Sequence, residues 1–113
     1  MVCGGWKVHG PLQVPDAYFA RFESFVDNPQ RAKYHSMVNW IDGAVGRVVH
    51  SLKNASIYNE TLICMNSDNG GPLPSGNNYP LKGGKFSNWE GTRTPTRIIA
   101  HRNSSPNVIF MIC

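Results

Sequence analysis

The feature that most constrains this chain is an apolar face between residues 34 and 52. Tyr34, Met37, Val38, Ile41, Val45, Val48, Val49 and Leu52 recur at steps of three and four, with single steps where two share the face. That spacing predicts one amphipathic α-helix over 29–53. Pro29 suits its first turn, where a missing N–H costs nothing. Arg31, Lys33, Asn39, Arg47 and Lys53 lie mostly off the face. Gly43 and Gly46 weaken the helix by about 1 kcal/mol each, or mark close packing against a strand. Asn54 to Asn59 closes the helix. Thr61-Leu-Ile-Cys-Met65 follows, an apolar run without polar alternation, which reads as a parallel strand covered on both faces. Helix, short connection and buried strand make the αβ half of a βαβ unit, so the fold class is α/β.

The strand runs into NSDNGGP at 66–72, and the chain stays loop-like to Gly91, with six glycines and three prolines in between. A loop of that length inside a compact domain is functional or disordered. Tyr79, Leu81, Phe86 and Trp89 lie in it, and they predict an ordered loop. Upstream, His9-Gly-Pro-Leu-Gln-Val-Pro15 reads as extended, with Val8, Leu12 and Val14 as packing residues. Asp16 reads as the cap of a short helical turn through Tyr18, Phe19 and Phe22. Residues 96–100 and 108–112 read as two further strands.

Composition limits the function. The 113 residues suffice for one small domain, and 41% of them are hydrophobic. The net charge is +4, but no two Lys or Arg residues are adjacent, so the clustered basic patch of a nucleic-acid binder is missing. No stretch approaches the roughly 20 apolar residues of a membrane-spanning helix. Of the three cysteines, Cys3, Cys64 and Cys113, none has metal-type spacing, and Cys64 reads as a buried small hydrophobe. Three glycosylation sequons begin at Asn54, Asn59 and Asn103 and favour the secretory route. Met1-Val2-Cys3-Gly4-Gly5 lacks the regions of a signal peptide, which points to a fragment.

Several residue groups carry possible chemistry. Asp68 and Asn69 follow the C-terminal end of the predicted strand, where ligands of open α/β sheets bind. Their oxygens suit Ca²⁺ or Mg²⁺. An Asx-turn explains the same residues, and for the pentad alone it is the better reading. Lys82 and Lys85 flank Gly83 and Gly84 in a turn that either holds an oxyanion or is a solvated basic loop. His9, in its proline-flanked segment, reads either as an anion contact or as a surface residue. His35, His50 and His101 show no paired spacing. Trp89-Glu90-Gly91-Thr92-Arg93 reads as a local ion pair. No GxSxG, HExxH or P-loop motif is present.

Taken in order, these segments resemble the sulfatase family. The resemblance rests on His9-x-Pro-Leu-Gln-Val-Pro15, Tyr34-x-x-Met37-Val38 and Ile41-Asp42-x-x-Val45-Gly46. It continues through Ser67-Asp-Asn-Gly-Gly71, Gly76-Asn-Asn-x-Pro-Leu-x-Gly-x-Lys85 and Trp89-Glu90-Gly91. It spans residues 8 to about 97 and is nearest to the arylsulfatase B-like branch, which includes arylsulfatases I and J.

The resemblance implies a partial alkaline-phosphatase-like α/β fold, with the helix packed on a mostly parallel sheet and long ordered loops. It implies a sulfuric ester hydrolase acting on sulfate esters, often sulfated glycosaminoglycans, in the lysosome or outside the cell. By it, Asp68 and Asn69 are Ca²⁺ ligands, and His9 and Lys85 are catalytic, substrate-binding residues that contact the sulfate group. The family's formylglycine nucleophile arises from a Cys in C-x-P-S-R, and no cysteine here stands in that motif. The family's first pair of metal-binding aspartates is also absent, and Thr92 stands where the family usually has a second Gly after Trp-Glu-Gly. Residues 1–100 therefore read as the C-terminal part of a sulfatase catalytic domain. Residues 101–113 read as a tail or as the first strand of a following one, since Ser105-Pro-Asn-Val-Ile-Phe-Met-Ile112 resembles that strand. The competing reading is a catalytically inactive pseudo-sulfatase that holds Ca²⁺ or sulfated glycans through Lys82, Lys85 and Arg93.

Overall fold

The computed structural model describes residues 2–3, 8–93, 97–99 and 107–112. One long helix, α2 (Pro29–Asn54), dominates it, preceded by a four-residue helix, α1 (Asp16–Phe19). Four strands, β1 (Val2–Cys3), β2 (Thr61–Asn66), β3 (Arg97–Ile99) and β4 (Asn107–Ile112), form one sheet in the order β1-β4-β2-β3. β4 pairs in parallel with both β1 and β2, while β3 runs antiparallel along the other edge of β2. Cys64 thus sits opposite Phe110 on one side and Ile98 on the other. The 107–112 segment lies inside the same sheet as β2.

Helix α2 starts where an asparagine stops the chain. The Asn28 side chain accepts hydrogen bonds from the N–H groups of Gln30 (2.9 Å) and Arg31 (3.1 Å), and Pro29 occupies the first turn. The other end closes with paired bonds, Ile57 N–H to Leu52 O (3.1 Å) and Ser56 N–H to Lys53 O (3.0 Å). Ser56 takes a left-handed φ of 58°, so these residues make a Schellman closure with serine in the usual glycine place. A 3-10 turn over Tyr58–Glu60 then leads into β2, where the buried Thr61 hydroxyl donates to Ile57 O at 2.7 Å.

The C-terminal half of α2 covers the sheet. Leu52 packs with Ile63 of β2, and Val45, Val48, Val49 and Tyr58 surround that pair. The N-terminal half packs against residues 18–25. Phe22 stacks on His35 with centroids 6.1 Å apart, and Arg21 donates to Asn39 Oδ1 at 3.3 Å. Cys64 is buried with a free thiol.

Three expectations need correction. Val38 is 45% exposed because it borders a cavity, while Ala32, Ser36 and Ala44 are buried on the helix instead. Gly43 faces the Tyr18 hydroxyl, not a strand, and Gly46 faces open space. Asp16 makes no side-chain cap, since α1 begins after Pro15 and Asp16 already lies in its first turn. The 66–91 loop leaves its aromatic rings outside. Tyr79, Phe86 and Trp89 are 86%, 89% and 54% exposed, and the loop is held by backbone and amide hydrogen bonds.

Candidate functional site

Beyond the carboxyl end of β2 the chain makes a turn too tight for side chains. Ser67 Oγ donates to Asn69 O at 2.7 Å, and Gly70 N–H donates to Thr92 O at 2.9 Å. A Cβ on Gly70 would collide with the Gly91 carbonyl, so glycine alone lets the two strands of loop touch. At Gly71 the Tyr34 hydroxyl lies 2.8 Å from where a side chain would begin. The 82–92 segment folds back onto this turn. Lys85 N–H donates to Gly71 O at 3.1 Å, and Gly91 N–H to Lys82 O at 2.8 Å. Gly83 takes a φ of 81°, which a side chain would strain.

These elements enclose a cavity of ≈ 430 Å³. Its wall includes His9 from the extended segment, Tyr34 and Asp42 from α2, Asp68 and Asn69 from the turn, and Lys85. The four residues singled out in the sequence, His9, Asp68, Asn69 and Lys85, therefore share one cavity although they come from three separate segments. Lys82 is not on that wall. It lies exposed, its Nζ 3.7 Å from the Trp89 ring centroid, a close cation–π contact. Glu90 and Arg93, read as an ion pair, are joined instead through Arg93 N–H and Glu90 O at 2.9 Å. Asn54 and Asn59 are exposed, while Asn103 lies outside the described residues, as do Cys113 and His101.

His9 Nδ1 lies 2.8 Å from Gly10 O. A carbonyl only accepts, so Nδ1 carries the proton, and Nε2 donates to an anion only when the ring is doubly protonated. Asp68 is exposed and Asn69 half-buried. Both offer hard oxygens, which fit Ca²⁺ in kind but supply a minority of the roughly six to eight oxygen ligands it takes. Among the described residues no group of three or more His, Cys, Asp or Glu could hold a metal.

Two residues that the sequence reading passed over also belong here. Tyr34 reads in the sequence as a helix-face and motif residue without a site role, yet it is half-buried on the cavity wall, and burial raises its phenol above the ordinary 10.0. It stays a neutral donor. Asp42 enters the sequence reading only as part of a motif, and its place one turn after Val38, an acid beside the apolar face, was the available signal. Thr92, the departure from the family's glycine, donates its single hydroxyl proton toward Gly84 O (2.7 Å) and Ser87 O, and pairs with Ser87 Oγ at 3.0 Å. It ties the Lys85 turn together.

The sulfatase family model matches residues 7–109. Arylsulfatase J of Mus musculus is 42% identical over 85 residues, covering 74% of this chain and 14% of the relative. Steryl-sulfatase of Homo sapiens is 34% identical, covering 71% of this chain and 15% of the relative. N-sulphoglucosamine sulphohydrolase of Homo sapiens is 34% identical, covering 79% and 16%. The chain thus spans about one seventh of the length of the curated relatives it matches. No solved structure matches the chain. A match over most of the chain, with the family's motif residues meeting at one cavity, makes the chain a member of the sulfatase family.

Proposed function

We propose that the chain carries part of the Ca²⁺ and sulfate-ester site of an arylsulfatase-like sulfuric ester hydrolase built on an alkaline-phosphatase-like fold. The observation that supports this is the shared cavity: Asp68 and Asn69, with their hard oxygen donors, line the same space as Lys85. Asp68 and Asn69 would hold Ca²⁺, which supplies positive charge beside a sulfuryl oxygen. Lys85 and a doubly protonated His9 offset negative charge on the sulfuryl oxygens and the leaving group, an electrostatic role. Tyr34 adds a neutral donor. Relatives named for sulfated amino sugars make such a sugar the proposed substrate, and the sequons at Asn54 and Asn59 favour a lysosomal or secreted setting.

The charges also predict an order of binding. Asp42 and Asp68 share the cavity wall with Lys85, two carboxylates to one lysine, so with His9 neutral the empty wall is net negative and repels sulfate. A divalent cation reverses that sign. Calorimetry on the 113-residue chain should show sulfate binding that strengthens with Ca²⁺. Lys85→Ala should weaken it about tenfold, and Asp68→Ala should remove the Ca²⁺ dependence. Sulfate affinity indifferent to both substitutions would sink the proposal. The chain holds no C-x-P-S-R segment, so by itself it is expected to leave an aryl sulfate unhydrolysed. Turnover by the purified chain would overturn that expectation.

A further inference from the structure

We propose that Asn78 is the positioning residue of this site, holding the Asp68–Asn69 turn and the Lys85 turn at a set separation. The inference rests on the reading of Lys85 as a sulfate contact. Asn78 is half-buried between two glycine turns. Its Oδ1 accepts from Gly71 N–H at 2.8 Å. Its Nδ2 donates both protons, to Gly71 O at 2.9 Å and Gly83 O at 3.1 Å. One side chain thereby grips both polar groups of Gly71 and, seven residues after it, reaches across to the turn before Lys85.

The Gly71 carbonyl also accepts from Lys85 N–H, so Asn78 and Lys85 converge on a single oxygen. Space around the amide is closed. A Cβ at Gly70 would stand 2.9 Å from Asn78 Oδ1, and one at Gly84 2.6 Å from Nδ2. Only a primary amide of this length has two donors and one acceptor in that arrangement. Asp68 and Lys85 make no ion pair with one another among the described residues, so their spacing comes through Asn78 and the backbone. Without the amide, a glycine-rich loop would have to be ordered each time an anion binds, and that entropy would be subtracted from affinity.

The test is a double-mutant cycle on the 113-residue chain, read by calorimetry with sodium sulfate in Ca²⁺. Asn78→Ala should raise the sulfate dissociation constant about tenfold when Lys85 is present, and should add little in a Lys85→Ala chain. Asn78→Asp keeps the acceptor for Gly71 N–H but sets a carboxylate against two carbonyls, so it should bind sulfate no better than Asn78→Ala. Amide exchange supplies a readout independent of ligand. The Lys85 and Gly71 N–H groups should exchange at least tenfold faster in Asn78→Ala, with α2 unchanged. Equal losses with and without Lys85, rescue by Asp, or faster exchange throughout α2 would each overturn the assignment. So would loss of the folded state in Asn78→Ala. A parent chain whose sulfate binding ignores Lys85→Ala would instead overturn the reading of the site itself.

Discussion

At Tyr34 a helix-face residue and a site residue are the same side chain. Its ring fills the angle between α2 and the Gly70–Gly71 turn, and its hydroxyl borders the cavity. Burial disfavours the phenolate, so its pKa in the fold is raised above the 10.0 of the unfolded chain. The stability linked to this group is intact below pH 10. It is lost as pH rises beyond that value, because the unfolded chain releases its proton first. Urea unfolding at pH 8, 10 and 11 should therefore show a steeper alkaline loss in the parent than in Tyr34→Phe. Parallel curves would show that burial of this phenol does not drive the loss. At the same scale, Asn78 shows in the sequence only as a motif residue. An asparagine in a glycine-rich loop is common in turns, and nothing in its neighbours reveals that its amide meets residues 71 and 83.

Among the elements, α2 decides most of the architecture. It is 26 residues long, and its two halves do different work. The first half faces residues 18–25 and the cavity, and the second faces β2. Its C-terminal closure contains a local compromise, since Ser56 holds a left-handed φ that disfavours any side chain. Ser56→Gly should raise stability by roughly 0.5–1 kcal/mol, the relief of strain exceeding the added entropy of the unfolded chain. Chemical denaturation of unglycosylated protein checks this, because the change also removes the sequon at Asn54. A lower midpoint would mean that the serine side chain has a stabilising contact here. The 66–91 loop is the second decisive element. Its order comes from hydrogen bonds between glycine-bearing turns, with its large aromatic residues left outside, two of them under lysines.

For the whole molecule, the extents are 43 × 35 × 21 Å, and the shortest is that of one helix layer on one sheet. The radius of gyration of 15.7 Å exceeds the about 13 Å of a compact domain of this length. A slab of this kind has a small core, so ligand binding should register strongly in its stability. If Asp68 and Asn69 hold Ca²⁺, then Ca²⁺ at ten times its dissociation constant should stabilise the chain by about 1.4 kcal/mol. That corresponds to a rise in thermal midpoint on the order of 5 °C. Differential scanning calorimetry should show the rise in the parent and not in Asp68→Ala. An equal rise in both would place the ion elsewhere.

The sequence by itself determined the periodic elements and the family. The three- and four-residue spacing from Tyr34 to Leu52 specifies α2, because a face that must be buried repeats with the helix. The apolar run 61–65 specifies β2, because a central strand is buried on both sides. Ser67-Asp-Asn-Gly-Gly71 and its companion motifs carry the family, because they are ordered along the chain. The tertiary structure alone decided which half of α2 meets the sheet and that β4 lies between β1 and β2. It also brought His9, Asp42, Asp68 and Lys85 to one wall and joined the glycine turns through the amide of Asn78. Each of these depends on contacts between segments distant in the chain. Local spacing records what a residue must do within its own element, and holds no record of which distant atom completes its hydrogen bonds.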